Sequence, residues 1–249
     1  MRTIYWGNEN PLDHTESDSS LPTVEGQNAA AFTAAACLIR RPENADTSRT
    51  ADDVRRSEQQ QIRRLLESGA LPAFATARFE GLELLSNHTS EHEVRYDGAD
   101  LVLKRTWPGI YGQIPVVLNG VLDRRMATPS EYLDRQALQN EVFDSTIRFE
   151  GVNISDKPAM IIGEEIGQPA FVISQKIVGA ENPESPIPTM PQIAEFMTSH
   201  GFESKPGTHF GWFRQADSVA VMDAKPDNFI LSPEGIVPID LQMAYVDLP

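Results

Sequence analysis

Cysteine is almost missing from this chain. One residue in 249, Cys37, leaves no partner for an internal disulfide and no multi-cysteine zinc pattern. Long apolar runs are missing as well: the richest, residues 29–39, falls far short of the roughly 20 residues that span a bilayer. The opening MRTIYWGNENPLDH holds no apolar stretch of signal-peptide length. The expectation is a cytoplasmic protein with no membrane partner. Positive charge is the third scarcity, since 21 Lys and Arg face 36 Asp and Glu for a net charge of −15. Nucleic-acid affinity comes largely from Lys and Arg neutralising phosphates, so a nucleic-acid polymer is a poor partner. Any anionic ligand needs a local positive site. GxxxxGK[ST], GxSxG and HExxH are all absent, which removes P-loop, nucleophile-elbow and zincin chemistry.

What is present is enough apolar residue, 40%, to build a core in one or two domains. Residues 1–25 are polar and read as a flexible leader. Residues 26–79 read as a helical accessory region, with helices over 29–38 and 52–68 and Gly69 just past the second. Seven Arg fall between Arg40 and Arg64, but five acids share the interval, so a solvated helix face is expected rather than a phosphate patch.

From about Glu80 the pattern turns to short β-type runs. In EVRYDGADLVLKRT, Asp97-Gly98 signals a hairpin and places Lys104 on its second strand. TPSEYLDRQALQNEVF opens with Thr128 as N-cap, Pro129 at N1 and Glu131 at N3, a capping box starting a helix to about Phe143. Strands are expected at 147–152, 158–163 and 170–177. After a Pro-rich link, Thr189 caps a helix ending at Gly201, and strands at 218–222, 228–231 and 235–240 follow. His88 and His92 beside Glu91 read as polar loop residues, and the aromatic run 209–213 as packing.

The chemistry-bearing stretch is VMDAKPDNFILSPEGIVPIDLQ. Asp223, Lys225 and Asn228 stand as DxKxxN, and Asp240 follows a dozen residues later. In phosphoryl transfer an Asp orients the attacking hydroxyl, a Lys meets the transferring charge, and an Asn with a second Asp holds magnesium. The hairpin between them, turning at Pro-Glu-Gly, could bring Asn228 and Asp240 to one metal.

On these motifs the chain resembles the protein-kinase-like superfamily, whose catalytic loop reads HRDxKxxN and whose metal loop reads DFG. The likeness is closer to the kinase-like domain of phage and mobile-element polyvalent proteins, over roughly Glu80 to Tyr245. It implies an α+β, minimal two-lobed kinase-like fold over 80–249: an antiparallel sheet plus helix as N-lobe, a reduced C-lobe, and an N-terminal helical extension. It further implies a phosphotransferase moving the γ-phosphoryl group of ATP, with Mg, to a hydroxyl on a protein or small molecule. Asp223 and Lys225 would be catalytic, Asn228 and Asp240 the metal ligands, and Lys104 the grip on the α- and β-phosphates. Glu131 would pair with Lys104, in competition with its capping role, and Glu141 is the other candidate. Gln175 and Ile177 would lie in the linker whose backbone meets adenine, and Ser90 would cover the phosphates where a glycine loop is missing. Val221-Met222 replaces the His-Arg pair, and only nine residues follow Asp240, which leaves no peptide-gripping lobe. The rival expectation is a non-catalytic module that binds a nucleotide or a protein partner.

Overall fold

The Asp97-Gly98 turn forms as the sequence predicts. Asp97 Oδ1 accepts the backbone N–H groups of Ala99 (2.9 Å) and Leu101 (3.0 Å), and Gly98 takes φ +83°. The turn joins β2 (His92–Tyr96) to β3 (Leu101–Thr106) in a computed structural model that describes residues 24–40, 49–86, 91–154, 167–178, 187–208 and 210–248. The expected strand 158–163, Ser90, His88 and His209 lie outside the described residues.

The hairpin is the middle of a five-stranded antiparallel sheet in the order β1-β2-β3-β7-β6, with β1 at Glu83–Ser86, β6 at Arg148–Ile154 and β7 at Pro169–Lys176. Register fixes which side chains share a face. Lys104 stands opposite Val94, Val102 precedes Lys104 by two residues, and Gln175 stands opposite Val102, so all four point to one side.

α4 (Pro129–Phe143) packs on this same side, against Phe171 and Ile173 of β7, while Phe74 and Phe79 cover Leu103 and Val172 on the other side. Ten of its fifteen residues are buried, because α1 (Val24–Ile39) packs along its far flank. Phe32, Ala35, Ala36 and Ile39 of α1 share one core with Tyr132 and Leu133 of α4, Phe171 and Ile173 of β7, and Ile62 of α2 (Ala51–Glu67). Burying Phe32 and Ile39 contributes roughly 1.5–3 kcal/mol each. Residues 24–39 therefore belong to the core of the sheet rather than to a separate layer. The short α3 (Thr76–Glu80) leads into β1.

Two strands the motif reading did not anticipate, β4 (Gln113–Leu118) and β5 (Val121–Met126), pair across Asn119-Gly120, both at positive φ. A second core gathers α5 (Met190–Ser199) with Phe202, Trp212, Val219, Val221, Phe229 and Met243. It lies on a four-stranded antiparallel sheet, β13-β10-β9-β8, of β8 (Glu203–Ser204), β9 (Trp212–Arg214), β10 (Val219–Met222) and β13 (Gln242–Tyr245). The hairpin of β11 (Phe229–Ser232) and β12 (Gly235–Pro238) stands off this sheet. The last β-type run ends at Pro238, so Asp240 sits in the bend before β13 rather than at a strand end. The class is mixed α+β with antiparallel sheets and five helices among the described residues.

Candidate functional site

β10 delivers Asp223 at its C-terminal end, where the backbone turns into the left-handed region at φ +58°. A non-glycine residue rarely sits there, and here the turn is held from both sides. The Lys225 N–H donates to the Asp223 carbonyl at 2.8 Å, and the Asn228 Nδ2 donates to that carbonyl (2.7 Å) and to Asp223 Oδ2 (2.9 Å). Lys225 Nζ lies 3.5 Å from both Asp223 Oδ2 and Asp227 Oδ2, and those two carboxylates outweigh its partial burial to raise its pKa. The Ile239 N–H donates to the Asn228 carbonyl (3.0 Å), which closes the base of the β11–β12 hairpin and sets Asp240 beside Asn228.

Lys104 reaches this group from the sheet. Its ammonium donates to the Ile239 carbonyl (2.5 Å) and to Gln175 Oε1 (3.1 Å). Burial pulls its pKa down, with Asp240 and Glu91 pulling it up and Arg135 opposing them. Burial alone would raise the Asp240 carboxyl. The positive charges around it, His92 when protonated, Lys104, Arg135 and Lys225, hold it below the usual carboxylate range.

A cavity of about 610 Å³ joins these groups. Leu85, Val94, Val102 and Ile230 give it an apolar wall, while Lys104, Asp223, Lys225, Asn228 and Asp240 occupy its polar end. Its size suits a small organic ligand. The larger groove, about 1360 Å³ between α1, α2, α4 and β13, is a weaker candidate. Several of its polar groups are already partnered, Arg40 with Asp134, Arg125 with Glu131, and Glu58 with the Ser130 N–H and hydroxyl.

Of the residues singled out in the sequence, Lys104, Gln175, Ile177, Asp223, Lys225, Asn228 and Asp240 line the one cavity. Gln175 enters through its side chain rather than its backbone, and the Ile177 N–H is already given to the Asp100 carbonyl (2.7 Å). Glu131 is a correction. Its carboxylate accepts the Thr128 N–H (2.9 Å) and both Arg125 Nη groups, so the capping box wins and no contact with Lys104 is made. Glu141 is exposed and offers no substitute.

The carboxylate that does enter the cavity beside Lys104 is Glu91, just ahead of β2. Both of its oxygens are held by Arg135, whose side chain is fully buried in α4, lies over the Tyr132 ring and also donates to the Gln113 carbonyl at 3.1 Å. Burial opposes the guanidinium's charge, but Glu91 more than restores it and its pKa rises. Gly112, at φ +68°, makes room for this pair, because a Cβ there would lie 1.9 Å from Glu91 Oε2. His92 Nε2 lies 3.0 Å from Tyr132 Oη and 3.3 Å from Glu91 Oε1. Burial, against the pull of Glu91 and Asp240, keeps its pKa below the ordinary value.

Donor atoms of Glu91, His92 and Asp240 lie within 4.8 Å of one another. Arg135 occupies Glu91 and Tyr132 occupies His92, so side chains already compensate that cluster. Asp240 and Asn228 suit a hard cation better. The Asp240 carboxylate has no hydrogen bond or ion pair among the described residues, and Asn228, with its amide N–H groups turned to Asp223, presents its oxygen. Gln242, which the motif reading quoted without assigning a role, also lines the cavity, with a buried amide oxygen lacking a partner among the described residues. Comparison with known proteins adds no assignment: no family model, curated protein or solved structure matches the chain.

Proposed function

We propose that the chain is a kinase-like phosphotransferase that moves the γ-phosphoryl group of magnesium-bound ATP to a hydroxyl acceptor. The observation that carries this reading is the convergence of Lys104, Asp223, Lys225, Asn228 and Asp240, drawn from strands and loops up to 136 positions apart, on one cavity with an apolar wall. In this reading a purine base would lie against Val94, Val102 and Ile230, and Lys104 would meet the phosphates of the nucleotide.

Asn228 and Asp240 would hold the magnesium, which supplies charge neutralisation on the phosphate oxygens. Asp223 takes the proton from the acceptor hydroxyl as that oxygen bonds to the γ-phosphorus. The bond from the γ-phosphorus to the β-bridging oxygen breaks, and ADP leaves with the electron pair. Lys225, 3.5 Å from Asp223 Oδ2, faces the charge of the phosphoryl group in flight. Its link to Asp223 keeps both groups at the same end of the cavity.

A non-catalytic nucleotide-binding module is the second reading. It is favoured by Lys104, which makes no direct ion pair with a carboxylate among the described residues. Phosphoryl transfer from MgATP separates the two. Asp223→Asn lowers it about 10²- to 10⁴-fold, the range of a positioned general base, while the nucleotide Kd changes little. Unchanged transfer in that variant removes Asp223 as the base. Absent transfer in the native protein, with ATP still raising Tm, selects the binding module.

A further inference from the structure

The segment bearing Asp240 is held at every residue around it. The Pro238 carbonyl accepts from Gln139 Nε2 (3.2 Å) and, at longer range, from Gln175 Nε2 (3.4 Å). The Ile239 carbonyl accepts from Lys104 and its N–H goes to Asn228, while the Leu241 N–H donates to Gln139 Oε1 (3.4 Å). One side chain in this set touches both partners of interest. Gln175, 4% exposed, gives its oxygen to the Lys104 ammonium and its nitrogen to the carbonyl two residues before Asp240.

We infer that Gln175 is a positioning residue whose amide couples the phosphate-gripping lysine to the metal-binding segment, so that nucleotide and magnesium bind cooperatively. The inference rests on the nucleotide reading above and adds to it.

A neutral amide suits this task better than a carboxylate. Gln175 and the Ile239 carbonyl satisfy two of the three ammonium protons without cancelling the charge, which stays available to a phosphate. The amide offers both an acceptor to Lys104 and a donor to Pro238, so a shift of Lys104 toward a phosphate is passed to Pro238 through one rigid plane. Leucine has the same reach and neither function. Glutamate keeps the acceptor, loses the donor and neutralises the lysine.

The test is the dissociation constant of a non-hydrolysable ATP analogue, measured calorimetrically with and without MgCl₂. In the native protein magnesium tightens binding by a measurable factor. In Gln175→Leu that factor shrinks about fivefold or more, the lower edge of ordinary site-to-site coupling, while the metal-free constant changes less. Gln175→Glu weakens metal-free binding itself. Gln139→Leu, which loosens Pro238 from α4 and leaves the Lys104 contact, reduces the magnesium factor to a smaller degree. A general loss of structure would weaken binding equally with and without metal, so the ratio separates positioning from damage. Gln175→Met serves in place of the leucine variant should the latter fail to fold. An unchanged magnesium factor in the leucine or methionine variant would overturn the inference and leave the nucleotide reading standing. A native protein that binds no analogue removes both.

Discussion

α4 carries two arginine–carboxylate pairs near its start, and they differ in everything but chemistry. At its first turn Glu131 meets Arg125 on a half-exposed surface, with side-chain exposures of 26% and 38%. One turn further in, Arg135 meets Glu91 at 0% and 11%. Solvent screens the outer pair, and its defined task is the Thr128 N–H at the helix start. The inner pair has little water to fall back on, so each charge depends on the other. With Lys104 and Asp240 it forms a set of two positive and two negative groups beside the cavity. The lesson is that position along the helix, not residue type, decides which pair serves the fold and which serves the site.

Breaking the inner pair gives the largest effect. Arg135→Met strands the Glu91 carboxylate in the interior and lowers unfolding free energy by about 3–5 kcal/mol, read by urea denaturation. Adding Glu91→Gln recovers a substantial part, as a double-mutant cycle registers. A double variant no more stable than Arg135→Met alone would show the loss to come from packing rather than from the stranded charge.

A smaller effect comes from His92 against the same pair. Because its folded pKa lies below the ordinary 6.5, the unfolded chain binds the proton first as pH falls. The group therefore leaves stability intact above about pH 6.5 and removes it as pH drops from there toward the folded pKa, at no more than about 1.4 kcal/mol per pH unit for one proton. Replacing His92 with Gln flattens the profile in that window. Equal slopes from pH 7 to 5.5 in native and variant protein would contradict the assignment.

The outer pair gives the smallest change. Glu131→Gln costs about 1 kcal/mol through the weakened cap and leaves ATP-analogue affinity as it was. A loss of about tenfold or more in that affinity would return Glu131 to the site.

The contrast also explains what could be read in advance. Asp223, Lys225, Asn228 and Asp240 were legible because one short stretch holds them and a hairpin folds them back on themselves. Lys104 was legible from the Asp97-Gly98 turn and two-residue alternation. The β4–β5 hairpin had its own signal in Asn119-Gly120, which the motif reading passed over. Glu131 misled because one position satisfied two rules, the capping box and the helix glutamate, and the local contact prevailed over the distant one. Glu91 and Arg135 were not legible, since they are 44 residues apart and their charges run opposite to the expected lysine–glutamate pair. Gln175 was placed in the right strand but its side-chain partners were not legible, because register tells which face a side chain takes but not what stands across from it.

Gly112 shows how far the burial of a charge pair reaches. It lies between elements, where sequence change is ordinarily tolerated, yet the space a methyl group would need is filled by the Glu91 carboxylate. A scan of all substitutions should therefore find a connecting residue as intolerant as any in the interior, and alanine, the mildest replacement elsewhere, should act at 112 as a wedge between an acid and its base.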